Sequence, residues 1–251
     1  MNRVRVRARE KKTPPELSAV KRRAPRALTN TSTNTTPEPA SRFTFPARLY
    51  PIVDTLGDPG RSHVELAEAI LAAGVPLLQL RVKGEPTGHF VELARAVKAL
   101  ADRHGARLII NDRCDVAQLV DAAGVHLGQD DLPVAAARQL LGAGKLIGFS
   151  THNLEQAAAA MREGSADYLG FGPIFATTSK DRPDPMQGLD GLRRMRAVVT
   201  LPVVAIGGIT SATVHEVLAA GADAVAMIGE IVRATDVTDT VRRLLHLTQT
   251  A

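Results

Sequence analysis

From Leu49 to its end, the chain alternates short apolar runs with longer stretches whose apolar residues recur at helical spacing. The strand-like runs are Leu49–Asp54, Leu77–Val82, Arg107–Ile110, Gly124–Leu127, Leu146–Phe149, Asp167–Phe171, Val203–Ile206 and Ala224–Ile228. The helical stretches lie near His63–Ala73, Gly88–His104, Val116–Ala122, Val134–Leu141, Leu154–Arg162, Leu189–Val199, Ala212–Ala220 and Val237–His246. The pattern therefore predicts eight strand–helix units.

The order of these units favours one fold class. Strands that are separated by helices pair in parallel, and eight such units close naturally into a (β/α)8 TIM barrel. An open doubly wound sheet is the structural alternative. The barrel is favoured because Gly207-Gly208 and Ile228-Gly229 come late in the chain, where barrels commonly bind phosphate. We expect an α/β protein with a TIM barrel over residues 46–251.

Positive charge is concentrated before the barrel. Eleven Lys and Arg against three Glu give residues 1–42 a formal charge of +8, which leaves −3 on residues 43–251 of a chain that carries +5. The barrel is therefore not expected to bind nucleic acid. Residues 1–45 include TNTSTNTTPEP and lack apolar periodicity, which predicts a disordered tail. We interpret it as a solvated extension; a transit peptide, an anionic-surface tether and a misplaced start codon stay open.

Composition excludes several other classes of protein. With 45% hydrophobic residues the chain can build a substantial core, but no run approaches the roughly 18 consecutive apolar residues of a membrane helix. Cys114 is the only cysteine, so an internal disulfide framework and a cysteine-based zinc site are excluded. A single cysteine also fits a reducing, cytoplasmic setting.

The second strand ends in three polar residues that share one face. Period-2 alternation places Gln79, Arg81 and Lys83 opposite Leu80 and Val82. In a barrel that polar face points inward, where two cations are costly unless an anion meets them. A strand end with solvated charges is the alternative interpretation.

Carboxylates follow the third and fourth strands. Asp112 comes after Asn111, and Asp131 ends the segment that begins at His126. Two carboxylates from neighbouring strand ends suit a Mg²⁺ ion that keeps several waters and contacts substrate phosphates. Asp112 alone could instead cap the following helix. We interpret His126 as a core histidine whose hydrogen bonds are satisfied.

The later strand ends offer groups that bind phosphate. Ser150 follows the fifth strand, and the sixth leads into a loop with Thr177, Thr178, Ser179 and Lys180, whose hydroxyls and cation are suited to a phosphate. Residues 181–187, with two prolines, could form a lid. Glycines after the seventh and eighth strands let main-chain N–H groups approach a phosphate.

Together, eight segments in order resemble the thiamine-phosphate synthase family, from Leu49 to the last helix. They are LYPIVD, QLRVK, IINDR, HLGQDD, IGFSTHN, FGPIFATTSK, VVAIGGI and GADAVAMIG. The resemblance implies a Mg²⁺-dependent transferase of thiamine biosynthesis. It would condense 4-amino-2-methyl-5-(diphosphooxymethyl)pyrimidine with 4-methyl-5-(2-phosphooxyethyl)thiazole, or its carboxylated form, by dissociative substitution at the pyrimidine methylene.

The resemblance also implies roles for individual residues. Those that would bind the pyrimidine diphosphate are Gln79, Leu80, Arg81, Val82, Lys83, Asn111, Ser150 and Lys180. Among them, the direct participants in catalysis would be Arg81, Lys83, Ser150 and Lys180. Those that would bind the thiazole phosphate are Thr177, Thr178, Ser179, Gly208, Ile228 and Gly229. Asp112 and Asp131 would hold one Mg²⁺ per subunit.

The sequence departs from the family pattern at four positions. Ser179 stands in place of Thr, Asp130 in place of Glu, Val82 at an often acidic position, and Gly229 in place of a frequent Ser. At Gly229, phosphate binding would be left to main-chain N–H groups.

Three alternative functions stay open at this point. A related thiazole tautomerase carries a histidine near the position of Pro173, a non-catalytic barrel could sense a phosphorylated ligand, and a sugar-phosphate isomerase would share the late glycines. The oligomeric state also stays open, a homo-oligomer included.

Overall fold

The computed structural model describes residues 43–55, 60–177 and 184–250. Eight parallel strands close into a barrel in sequence order, and the last strand pairs with the first. They are β1 (Leu49–Val53), β2 (Leu77–Leu80), β3 (Arg107–Asn111), β4 (Gly124–Leu127), β5 (Leu146–Thr151), β6 (Tyr168–Phe171), β7 (Val203–Ile206) and β8 (Ala224–Met227). The closed barrel confirms the predicted fold and excludes the open doubly wound sheet.

Helices follow the strands and surround the barrel. Their bounds are α1 (His63–Leu71), α2 (Thr87–Arg103), α3 (Cys114–Leu119), α4 (Val134–Leu141), α5 (Leu154–Glu163), α6 (Gly188–Val198), α7 (Val214–Ala219), α8 (Gly229–Val232) and α9 (Val237–Gln249). The short helix α8 was not predicted. Across the described ranges, none of the helices combines the length and the apolar character that crossing a membrane requires.

Both faces of the parallel strands are buried, which explains their nearly continuous apolar sequences. One set of strand side chains packs against the helices, for example Val53, Leu80 and Val125. The alternate set fills the barrel interior, where Tyr50 and Tyr168 are each 1% exposed. The barrel is therefore a filled core toward the amino ends of its strands.

Two phenylalanines extend this inner core. The ring of Phe45 lies 5.1 Å from that of Tyr168 and 5.9 Å from that of Tyr50. Phe43 packs on Phe45, with 4.9 Å between the ring centroids. The predicted tail, residues 1–45, includes both phenylalanines. The structure instead packs their rings against the barrel. The rest of the predicted tail, residues 1–42, lies outside the described residues.

Two glycines make space for polar rings inside the barrel. A Cβ atom at Gly148 would lie 2.2 Å from Cζ of Tyr168 and 2.4 Å from Nδ1 of His126. At Gly170 a Cβ atom would lie 3.1 Å from Cε1 of His126. A side chain at Gly148 would therefore displace both rings, since such contacts are far shorter than van der Waals distances.

Candidate active site

A cavity of about 1260 Å³ opens at the carboxyl ends of the strands. The residues from the sequence analysis that line it are Gln79, Arg81, Lys83, Asn111, Asp112, Asp131, Ser150, Thr177, Gly208, Ile228 and Gly229. Leu80 and Val82 instead point into the core between strands and helices, so only their main chain could contact a substrate. Thr178, Ser179 and Lys180 lie outside the described residues.

Each cation at the end of β2 is paired with a carboxylate. Arg81 forms an ion pair with Asp54, which follows β1 and whose side chain is 4% exposed. Lys83 forms an ion pair with Asp112 and is half exposed. Burial of Asp54 makes its pair the more constrained, because water competes little for either group. Arg81 is therefore held at the cavity wall, while Lys83 can exchange partners more readily.

Asp112 stands directly after β3 in an uncommon backbone conformation. Its φ of 63° lies in the left-handed region, which Asp tolerates better than most residues. Its main-chain N–H donates to the carbonyl oxygen of His126 at 2.8 Å. Helix α3 is instead preceded by Arg113, without a side-chain cap. The alternative interpretation of Asp112 as the helix cap is therefore wrong.

Asp131 brings a second carboxyl group to Asp112. Its Oδ2 atom accepts a hydrogen bond from the main-chain N–H of Gly128 at 2.7 Å. Burial raises the pKa of Asp131, and the adjacent carboxyl group of Asp112 raises it further. A cation beside the two groups would favour the ionised form of Asp131. In the described ranges no cluster of three or more His, Cys, Asp or Glu could hold a metal by itself, so an ion here would need ligands from water or substrate.

Five side chains cross the barrel as one continuous run of hydrogen bonds, which we call the tyrosine–histidine relay. Gln79 donates through Nε2 to the hydroxyl of Tyr50 at 3.2 Å, and the hydroxyls of Tyr50 and Tyr168 lie 3.0 Å apart. Nδ1 of His126 lies 3.1 Å from the hydroxyl of Tyr168, and its Nε2 lies 2.9 Å from Oγ of Ser150. Both ends of the relay, Gln79 and Ser150, line the cavity.

Burial disfavours the charged forms of the two tyrosines and the histidine in this relay. It raises the pKa of the Tyr50 hydroxyl above its usual range and does the same for Tyr168. It lowers the pKa of His126 to about 4, against a smaller opposing effect of Asp112. The expected role of His126 as a core histidine with satisfied hydrogen bonds is confirmed, and at neutral pH its ring carries one proton.

The rim beyond β5 carries polar groups that the sequence analysis left out. Nδ1 of His152 lies 2.9 Å from the carbonyl oxygen of Gly172 and 3.5 Å from Oδ2 of Asp184. Both His152 and Asp184 line the cavity, as does Pro173. The predicted lid, residues 181–187, is described only from Asp184 onward.

The opposite rim is formed after β7 and β8. Gly208 and Gly229 line the cavity there together with Arg233. A Cβ atom at Gly229 would lie 2.5 Å from a guanidinium nitrogen of Arg233 and 3.0 Å from its Cζ. The guanidinium group therefore occupies the space that a side chain at position 229 would take. This cation was not singled out from the sequence, because the four-residue separation of Gly229 and Arg233 does not by itself show that the side chain folds back.

Known proteins of similar sequence identify the family of this chain. Residues 49–231 match the family described as thiamine monophosphate synthase. The chain belongs to this family. Thiamine-phosphate synthase from Chloroflexus aurantiacus is 50% identical over 200 residues, which cover 80% of this chain and 92% of that relative. The enzyme of that name from Shouchella clausii is 48% identical over 201 residues, or 80% of this chain and 95% of the relative. The resemblance stated from the sequence is confirmed.

Solved structures agree with this assignment to the thiamine monophosphate synthase family. Thiamine phosphate pyrophosphorylase from Pyrococcus furiosus superposes with a TM-score of 0.73 at 36% identity, covering 81% of this chain and 96% of that one. A geranylgeranylglyceryl phosphate synthase from Thermoplasma acidophilum reaches a TM-score of 0.62 at 16% identity over 82% of this chain and 94% of its own. The second likeness shows the barrel fold alone.

Proposed function

We propose that this protein is a thiamine-phosphate synthase that joins the pyrimidine diphosphate to the thiazole phosphate. The observation that carries the proposal is the convergence of two cations, two acids and the ends of the tyrosine–histidine relay on one cavity. These groups come from the ends of β2, β3, β4 and β5, and they line the cavity together. A cavity of about 1260 Å³ can hold two small substrates at once.

The diphosphate would bind between the end of β2 and the acids. Arg81 and Lys83 supply positive charge there, and Lys180 would supply a third positive charge. Because Asp54 holds Arg81, the guanidinium group is already in position before the reaction starts. Little reorganisation is therefore needed as charge grows on the leaving group. Asn111, the last residue of β3, adds an amide beside them.

The carboxyl groups of Asp112 and Asp131 would hold Mg²⁺. The donor set fits: both are carboxylates, they lie together at the cavity wall, and the ion prefers one or two carboxylates completed by water and phosphate oxygens. When bound, the ion supplies positive charge beside the leaving diphosphate. Lys83, which pairs with Asp112, would then turn to the phosphate.

The reaction is a substitution at the pyrimidine methylene carbon. Its bond to the diphosphate oxygen breaks, and the electron pair leaves with the diphosphate. The lone pair of the thiazole nitrogen then forms the new carbon–nitrogen bond. That nitrogen carries no proton, so no general base is required. Aligning the two substrates lowers the activation free energy by up to about 7–11 kcal/mol.

The thiazole phosphate would bind at the opposite rim. Gly208, Ile228 and Gly229 follow β7 and β8, Thr177 follows β6, and all four line the cavity. Thr178 and Ser179 complete the site in the proposal. A cytoplasmic location belongs to the proposal as well, because both substrates are phosphorylated metabolites.

A turnover assay with both substrates tests this proposal. Purified protein, both substrates and Mg²⁺ should yield thiamine phosphate by chromatography, and EDTA should abolish the product until Mg²⁺ is restored in excess. Folded protein that binds the thiazole phosphate but makes no product would instead support the tautomerase or the sensor.

A further inference from the structure

The tyrosine–histidine relay constrains where its protons lie. The hydroxyl groups of Tyr50 and Tyr168 each contact two relay neighbours, and within the described ranges neither has a third partner. A tyrosine hydroxyl has one proton, so it must accept from one neighbour and donate to the other. A neutral imidazole likewise donates through one nitrogen and accepts through the other.

These constraints pass from one end of the relay to the other. Gln79 donates to Tyr50, so Tyr50 donates to Tyr168, and Tyr168 donates to Nδ1 of His126. The imidazole proton is then on Nε2 and is donated to Oγ of Ser150. The hydroxyl proton of Ser150 is left to point elsewhere, and Ser150 lines the cavity.

At the other end, the same polarity leaves an acceptor. Gln79 is 2% exposed and lines the cavity, and no donor in the described part of the chain contacts its Oε1 atom. A buried amide oxygen without a partner is costly, so a ligand that donates to it gains that free energy. The cavity therefore presents an acceptor at Gln79 and a donor at Ser150.

We propose that the tyrosine–histidine relay couples Gln79 to Ser150 and thereby selects a ring edge that carries an amino group beside an unprotonated nitrogen. Such an edge donates from its amino group to Gln79 and accepts from Ser150 at the ring nitrogen. A 4-oxo pyrimidine presents the reverse order, a carbonyl oxygen beside a ring N–H. To accept it, the Gln79 amide and every proton of the relay would have to reverse together.

This inference rests on the proposed function for its substrate, and it assigns Tyr50, Tyr168 and His126 as positioning residues. None of the three needs to touch the reacting atoms. The glycines at 148 and 170 support the assignment, because they leave the space in which the rings of Tyr168 and His126 meet.

The first test is the tautomer of His126, which does not depend on activity. Nitrogen-15 NMR of protein with labelled histidine, with the His126 signals identified by their loss in His126→Gln, should show the proton on Nε2. Tyr168→Phe should remove the preference for that tautomer, since Nδ1 then loses its donor. A wild-type proton on Nδ1 would overturn the assigned polarity, whether or not the protein makes thiamine phosphate.

The second test is selectivity between the natural pyrimidine diphosphate and its 4-oxo analogue. We expect wild-type kcat/KM to favour the amino compound by at least about 100-fold, as sites built around buried hydrogen bonds do. Tyr168→Phe, which lets the two ends choose their polarity separately, should lower that ratio at least about tenfold. Tyr50→Phe cuts the relay at another point and serves if Tyr168→Phe does not fold.

Thr151→Val is the matched control, because it removes a buried hydroxyl that donates to the carbonyl oxygen of Gly170 at 2.9 Å but lies outside the relay. It should leave the selectivity ratio unchanged. An unchanged ratio in both tyrosine variants, or an equal fall in Thr151→Val, would contradict the coupling. A wild-type protein with no turnover would defeat the proposed function, while the tautomer would still decide whether the relay has the assigned polarity.

Discussion

Arg81 and Arg233 are two cations of the same cavity whose surroundings differ. Arg81 is held by the buried Asp54. The guanidinium of Arg233 lies against the Cα of Gly229, and the described part of the chain provides no hydrogen bond or ion pair for it. Gly229 replaces a frequent serine of the family pattern, so the loss of one side chain makes space for a charged one. We expect Arg233 to contact the phosphate of the thiazole substrate.

Replacing Arg233 by alanine tests this expectation. The variant should raise KM for the thiazole phosphate about tenfold, the effect of losing a charge-assisted hydrogen bond, and leave KM for the pyrimidine diphosphate unchanged. Steady-state kinetics with each substrate varied in turn measures both. Arg162→Ala, an exposed arginine of α5 outside the cavity, is the control. Equal effects on both substrates would show that Arg233 does not serve the thiazole phosphate.

Among the elements, the strands were the most predictable from sequence. Their apolar runs are continuous because both faces are buried, and the eight predicted strands are those observed. Boundaries moved where polar residues continue a strand, as in β5, which extends through Ser150 to Thr151. Helix α8, with four residues, is too short for any periodicity to show.

The site was predictable where it follows from strand ends, and less so where it depends on contacts across the barrel. Gln79, Arg81 and Lys83 could be placed at the cavity because alternation fixes their face. The tyrosine–histidine relay could not, because its partners are as many as 118 residues apart and meet only through the barrel register. The role of Asp54 could not be predicted for the same reason, since its partner Arg81 follows another strand.

Gly148, a residue of β5, supports the site because it leaves space for two rings. Gly148→Ala should lower the free energy of unfolding by roughly 1–3 kcal/mol, the usual cost of overpacking, because its Cβ atom would meet the rings of Tyr168 and His126. Gly144→Ala is the control, since a Cβ atom there meets nothing within 4 Å. Urea denaturation compares the two variants. Equal stability would contradict the tight contact at Gly148.

At the scale of the whole molecule, the predicted tail and the barrel can be separated by truncation. A variant that starts at Phe43 should keep the wild-type melting temperature and turnover, because the barrel and the matched family region begin at Leu49. A variant that starts at Ala47 loses Phe43 and Phe45 and should be less stable by roughly 2 kcal/mol, since two rings leave the inner aromatic cluster. Calorimetry distinguishes them, and equal melting temperatures would contradict the role of these rings.

In the proposed reaction, one cavity forms a bond between the pyrimidine methylene carbon and the thiazole nitrogen. The most direct measurement uses pyrimidine diphosphate labelled with carbon-13 at that methylene, mixed with thiazole phosphate, Mg²⁺ and the protein, and followed by NMR. We predict that the labelled carbon becomes bonded to the thiazolium nitrogen, with one diphosphate released for each bond formed. A label that stays on the diphosphate ester, or appears only in the hydrolysed alcohol, would contradict formation of this bond by the protein.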